Sequence, residues 1–411
     1  MSIRPIYCFV LIVIFVLSLR AEADSYQNLQ KVIETAKAGT VIRLPSGTYS
    51  KIIINKPITI IGSEDTVIDG GYQGNVITIN ASNVSIKNLT IRNSGSDVAK
   101  ENAGIYISED TGNTLIEGNR LEDNSFGISL HGTSSPTVRN NSIQGRKGKL
   151  MSDIGDGIRL WNVTGGLISN NEIEFGRDGI FITISESNIL ESNRMENLRF
   201  AIHYMYAHNN KVSNNYSANN DVAFALMFSN NLVISGNQSY QDRSYGIMLN
   251  YVNNSSITDN MTIENKDKCL FVYNSSKNVI RGNHFKKCNI GIHYTAGSYD
   301  NLLYENNFID NYIQVKYVGT RYNEWSHGKV GNYWSDNISS DLNGDSIADI
   351  TYRPNNIADK IMWKYPEAKL LFSSPALQLL RRAQALFPNL YPGGVVDSYP
   401  LMQQVEKGTK S

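Results

Sequence analysis

Residues 201–231, AIHYMYAHNNKVSNNYSANNDVAFALMFSNN, bring together side chains suited to soft-metal chemistry. In a β-strand successive side chains face opposite sides, so Ile202 and Tyr204 point inward while His203 and Met205 point outward. The matching phrase that opens at Ala223 sends Phe224 and Leu226 inward and Met227 outward, and Met248 follows one repeat further on and one row across. Parallel strands of neighbouring coils lie about 4.8 Å apart, which sets Met205 beside Met227. Thioethers with imidazole select copper(I), hard oxygens select calcium or magnesium, and a site of neutral donors releases its ion readily. The same residues also make an apolar strip that could pack against another protein or a loop, methionine being adaptable filler. Tyr206, Phe228, Tyr251 and Tyr273 border the strip, while the lone His131 and His293 read as surface residues rather than ligands.

The elements that must hold these side chains come from a repeat. Gly104-Ile105, Gly127-Ile128, Gly157-Ile158, Gly179-Ile180, Ala201-Ile202, Ala223-Phe224, Gly246-Ile247, Cys269-Leu270 and Gly291-Ile292 recur about every 22 residues. The wider step from Gly127 to Gly157 holds the polar GRKGKLMSDIGD, a looped-out insertion. A second series, Asn119, Asn141, Asn171, Asn193, Asn215, Asn237, Asn260, Asn283 and Asn307, keeps pace with the first. Short β-type segments at this period with Asn/Gly turns predict an all-β fold, a right-handed parallel β-helix of three-strand coils. Asparagine tolerates the left-handed turn conformation and can stack its amide on the next copy.

The ends of such a solenoid need covers. Leu29, Val32, Ile33 and Ala36 fall at helical spacing within 26–37 and predict an amphipathic N-terminal cap. The β-helix with its cap is expected over 24–320. Beyond it, over 321–411, Trp325, Trp334 and Trp363 mark a change of composition. There Asp341, Asn343, Asp345 and Asp349 in DLNGDSIAD offer oxygens as in a calcium loop, although Gly344 is misplaced for an EF-hand; a solvated Asx-rich turn is the equal alternative. Ser374 and Pro375 can start a helix with Leu377, Leu379, Leu380, Ala383 and Leu386 on one side, ended by Pro388. It could cover the last coil or dock a membrane partner with Arg381 and Arg382 available.

Charge sets broader bounds. Lys plus Arg number 38 and Asp plus Glu number 38, so nothing in the charge balance calls for a nucleic-acid partner. Arg4, the apolar run from Tyr7 to Leu17 and Ala21-Glu22-Ala23 read as a secretory signal peptide, residues 1–23, cleaved near Ala23. The mature chain is then expected outside the cytoplasm. Cys269 and Cys288 remain in it, and in an oxidising compartment they either pair or stay as buried thiols.

GDGIRLWN, RDGIFI, AIHYMYAHNN, AFALMFSNN and GIHYTAGS, with the tail phrases GNYWSDN, DLNGDSIADITYRP, SPALQLLRRAQALFP and GVVDSYPLM, resemble the NosD family of periplasmic proteins over nearly the whole mature chain. The resemblance implies a non-enzymatic β-helical accessory protein that partners an ABC-type ATPase and permease. It further implies a part in supplying copper to nitrous oxide reductase during assembly of its copper cluster, beside a copper-carrying lipoprotein chaperone. Where the family commonly has phenylalanine this chain has Tyr204, whose inward hydroxyl needs a partner. With the outward register, the resemblance makes transient copper(I) at Met205, Met227, Met248 and His203 the leading site reading.

Two other classes fit the fold. A polysaccharide lyase or epimerase would need a base beside a carboxylate neutraliser, for which Arg159 with Asp153 and Asp156, one coil from Asp178, is the best candidate. A metal-free interaction scaffold would use the methionine strip as a grip.

Overall fold

The structure is a computed structural model that describes residues 29–355 except 64, 149 and 320, then 393–406, with isolated positions 365, 367, 374–376, 378, 379 and 383 between them. Residues 1–23, where the signal peptide is expected, lie outside the described residues, as does Trp363.

Every coil contributes three short strands, and each pairs in parallel with its counterpart one coil on, giving an all-β right-handed parallel β-helix of three sheets. The chain divides into two compact units, Met1–Arg177 and Asp178–Ser411. Strand pairing continues beyond residue 320: Tyr333–Trp334 adds to Asn307–Ile309, with Asn307 opposite Tyr333 and Phe308 opposite Trp334.

In the first unit the helix Leu29–Thr35 buries Leu29 and Ile33 at the first coil, but Val32, expected on the same apolar side, is 48% exposed. Its three sheets run from Val41–Arg43 to Leu167–Ser169, from Gly47–Ser50 to Glu172–Glu174, and from Ile52–Ile54 to Ile158–Trp161. The insertion contains the short 3-10 turn Met151–Asp153.

The second unit repeats the pattern, and its long-strand sheet, Asp178–Thr183 to Ile313–Val318, forms the candidate site's wall. The inward residues Ile202, Tyr204, Phe224, Leu226, Ile247 and Leu249 are fully buried, each contributing roughly 1.5–3 kcal/mol. A Cβ at Gly179 would stand 2.5 Å from the Ala201 carbonyl oxygen, so the phrase admits only the smallest residues there.

The asparagine ladder sits inside the turns. Asn215, Asn237, Asn260 and Asn283 are buried, and each side-chain oxygen accepts backbone and side-chain N–H from the preceding rung, as Asn237 does from Asn215 at 3.0 Å. The left-handed conformation belongs to the residue before the rung, as at Asn214, Asp259 and Glu305. The last rung is also one residue earlier than expected: Asn283 bonds Asn306, which bonds Asn332, while Asn307 turns to Val405. Cys269 and Cys288 form a disulfide, their Cα atoms 5.7 Å apart.

At the C-terminal end Trp325 and Trp334 are buried, with Trp334 stacked between Phe308 at 4.2 Å and Tyr352 at 4.5 Å. Gly394–Val396 pairs with Tyr322–Glu324, and Asp397 accepts the Trp334 indole N–H at 2.8 Å and the Asn332 N–H at 2.7 Å. These residues close the last coil. Of the helix expected from Ser374, positions 375, 376, 378, 379 and 383 are helical, and the Gln378 N–H donates to the Ser374 carbonyl. Leu377, Leu380, Arg381, Arg382, Leu386 and Pro388 lie outside the described residues.

Candidate metal centre

Four adjacent strands of the second unit, Phe200–Met205, Val222–Met227, Tyr245–Asn250 and Lys268–Tyr273, carry the outward columns. Met205 pairs with Met227, which pairs with Asn250 and then Tyr273. In the next column His203 pairs with Ala225, then Met248, Phe271 and His293. Both thioethers of the first column are half-buried on the outer side. Met248 is 9% exposed and packs with Val222 and Ala225, walled by Phe200, Met227, Tyr245 and Phe271, so it is filler in an external apolar cluster more than an open donor.

His203 faces outward by register, yet it is only 8% exposed. The rings of Phe181 and Phe200 lie 4.8 Å and 5.0 Å from it, and its Nδ1 is 2.9 Å from Asp178 Oδ2. Arg199 grips the same carboxylate with two bonds, Nε to Oδ1 at 2.8 Å and Nη2 to Oδ2 at 2.6 Å. Burial works against the Asp178 charge, but the bonds from His203 and Arg199 outweigh it and hold the carboxyl below its ordinary range. Asp178 was not among the expected ligands of this centre. The strand register does contain the signal, since Asp178 pairs with Phe200 and Phe181 with His203.

Beside the thioethers runs an aromatic stair. Tyr206 and Phe228 stack at 5.1 Å and Phe228 and Tyr251 at 5.2 Å, and all three have positive φ, between 49° and 54°. The corresponding positions of the first unit are Gly132 and Asn162, residues that adopt this conformation at little cost. Each bulky residue there adds roughly 1–2 kcal/mol of strain.

The remaining expected residues stand apart. Asp341 accepts N–H bonds from Gly344, Asp345 and Ser346, Asn343 bonds Asp345, and Asp349 accepts from Leu342. The segment is thus folded as an Asx-rich turn whose oxygens face its own backbone. Among the described residues no three His, Cys, Asp or Glu converge on one point. His293, expected at the surface, has its Nδ1 buried without a protein partner, and burial pushes its imidazole down to about 4.

In the first unit His131 is likewise not a plain surface residue. Its Nε2 is 2.7 Å from Glu101, whose carboxylate also meets Arg159 at 3.2 Å and the Ser129 hydroxyl at 3.1 Å. Tyr106 and Trp161 lie 5.0 Å and 5.6 Å from the imidazole. Asp156, a member of the enzymatic candidate, is fully enclosed and held by Arg177 at 3.0 Å and Arg159 at 3.4 Å, so its charge is already compensated.

The chain is 41% identical over 376 residues to the probable ABC transporter binding protein NosD of Stutzerimonas stutzeri, spanning 88% of this chain and 86% of that protein. It belongs to the NosD family. The NosD protein of Pseudomonas aeruginosa, named in the same words, is 40% identical over 374 residues, covering 88% of this chain and 87% of its own. The family described as "Periplasmic copper-binding protein (NosD)" matches residues 139–338, and a right-handed β-helix region matches 47–152. Outside NosD, the fold is shared with the A-module of the mannuronan C-5 epimerase AlgE6 of Azotobacter vinelandii, 15% identical over 75% of this chain and 93% of the module with a TM-score of 0.50. A DFA-IIIase variant of Arthrobacter chlorophenolicus A6, 13% identical, covers 74% of this chain and 94% of its own with a TM-score of 0.52. At these identities the likeness is one of fold alone. Among the described residues no helix is long and apolar enough to cross a membrane.

Proposed function

We propose that this protein is a periplasmic accessory component of an ABC transporter that receives copper(I) on the outer face of its second unit and passes it on while the copper cluster of nitrous oxide reductase is assembled. The family description and the relatives' names support copper and the transporter as the setting. The observation that carries the reading is the pairing of Met205 with Met227, two thioethers in one outward column with the imidazole of His203 in the next. Sulfur and imidazole without a free carboxylate favour a soft, singly charged ion, and neutral donors let it leave again. The permease and ATPase, a copper-carrying lipoprotein and the reductase are the partners this role calls for.

Anaerobic titration with copper(I) against a chromophoric competitor tests it. Met205→Ala/Met227→Ala is expected to weaken binding by more than ~100-fold, beyond the ~10–100-fold that outer-shell changes cause. Equal affinity in both proteins would remove these residues from the site. A second reading, a metal-free docking face, is favoured by the external cluster around Met248 and the strained stair. It is the reading left standing by equal affinity. The enclosed, Arg-paired Asp156 and the relatives' description as binding proteins both speak for a non-enzymatic role.

A further inference from the structure

We infer that Asp178 and Arg199 are positioning residues of this centre: Asp178 holds the His203 proton on Nδ1 and leaves Nε2 as the ligating nitrogen, while Arg199 keeps the carboxylate itself away from the ion. The inference rests on the copper(I) reading of Met205 and Met227.

Three observations lead to it. The Asp178 carboxylate is fully enclosed, and the bond from His203 Nδ1 at 2.9 Å requires a proton on that nitrogen, since an ionised carboxylate only accepts. An imidazole held in this way presents its other nitrogen lone pair, the arrangement by which outer carboxylates orient ligating histidines. The Phe181 ring, tilted by 50° at 4.8 Å, and the Phe200 ring, nearly perpendicular at 5.0 Å, pack against the imidazole and restrict its movement.

Arg199 adds the second half. An unpaired carboxylate next to an imidazole would be a hard, anionic donor suited to zinc(II) or copper(II). The planar fork of Arg199 occupies both oxygens of Asp178, and the two charges cancel. What remains toward the ion is sulfur and neutral nitrogen, a donor set that holds one positive charge better than two.

The first unit contains a counterpart with the opposite proton. Glu101 accepts from His131 Nε2 and pairs with Arg159, between the rings of Tyr106 and Trp161, but the outward neighbours are Ser129, Arg159 and Trp161 and no thioether. The combination of carboxylate, imidazole and guanidinium alone therefore does not make the centre; its meeting with the thioether column does. His131 serves as the internal control.

Nitrogen-15 spectra of histidine-labelled, metal-free protein at alkaline pH, with His203 assigned through His203→Gln, decide the tautomer. The proton is expected on Nδ1 in His203 and on Nε2 in His131, and a proton on Nε2 of His203 overturns the inference. Isothermal titration with zinc(II) alone tests the second half. Arg199→Gln is expected to bind zinc(II) at least about tenfold more tightly than the native chain, a gain lost again in Arg199→Gln/Asp178→Asn. Unchanged zinc(II) affinity in Arg199→Gln overturns the role of Arg199. Neither readout passes through Met205 or Met227. A native chain that takes up no copper(I) but shows both results would end the proposed function and leave the tautomer and charge assignments in place. Should Asp178→Asn fail to fold, the native spectra and Arg199→Gln still decide.

Discussion

The hydroxyl of Tyr204 is buried among the inward side chains and finds no protein partner, and burial pushes its phenol far above the ordinary range. A buried hydroxyl without a partner is destabilising by roughly 1–3 kcal/mol, and phenylalanine fits the same space. Tyr204→Phe is therefore expected to raise the free energy of unfolding by that amount and leave the outer face unchanged, as equilibrium denaturation would read. Asp242 is the second residue that breaks a local rule. It occupies a rung between Asn220 and Asn265 and accepts from the hydroxyls of Ser217 and Ser239. Burial outweighs those bonds and lifts its carboxyl to about 6. The folded chain then binds this proton more tightly than the unfolded one, so the contribution to stability is full below about pH 4 and is lost as pH rises through about 6. Asp242→Asn should remove that dependence and gain about 3 kcal/mol at neutral pH, visible as a flatter profile of melting temperature between pH 4 and 7.

At the scale of the coil, parallel pairing with a strict register turns a sequence period into columns of side chains. That is why the inward and outward sets around Met205 and Met227 were legible: a slip of one residue would have exchanged Tyr204 and Met205 between core and surface. What lay beyond the pattern were contacts between residues one coil apart that differ in type, such as Asp178 with His203 and Glu101 with His131. Alternation says which way a side chain points and nothing about which neighbour satisfies it. The ladder shows the same limit. Asn306 and Asn307 are adjacent and chemically identical, and only the turn geometry makes the first a rung. The disulfide links Cys269 and Cys288 across a sequence separation of 19. A loop of this size is worth roughly 3 kcal/mol through the unfolded state. Cys269→Ser/Cys288→Ala is expected to lower unfolding stability by about that much in denaturant titration, with the native chain showing the same loss on reduction.

For the molecule as a whole, end closure matters as much as the repeat. A terminal coil exposes unpaired strand edges and bare core, and here Trp325, Trp334 and the returning segment Gly394–Val396 cover them. The tail's change of composition was legible as a change of role, but its 65-residue reach from Asn332 to Asp397 was not, because nothing in the pattern of either segment announces the other. Asp397→Ala would leave the Trp334 indole and Asn332 N–H groups buried without their acceptor, and a loss of roughly 3 kcal/mol with earlier proteolysis at the C-terminal end is expected. The outer feature on which the proposed function rests is sulfur beside imidazole. X-ray absorption at the copper edge of the copper(I)-loaded native chain tests that feature most directly. Two sulfur scatterers and one imidazole nitrogen are expected, both sulfurs disappearing in Met205→Ala/Met227→Ala; a shell of nitrogen and oxygen alone, or sulfur scattering that survives the double substitution, would contradict a thioether site.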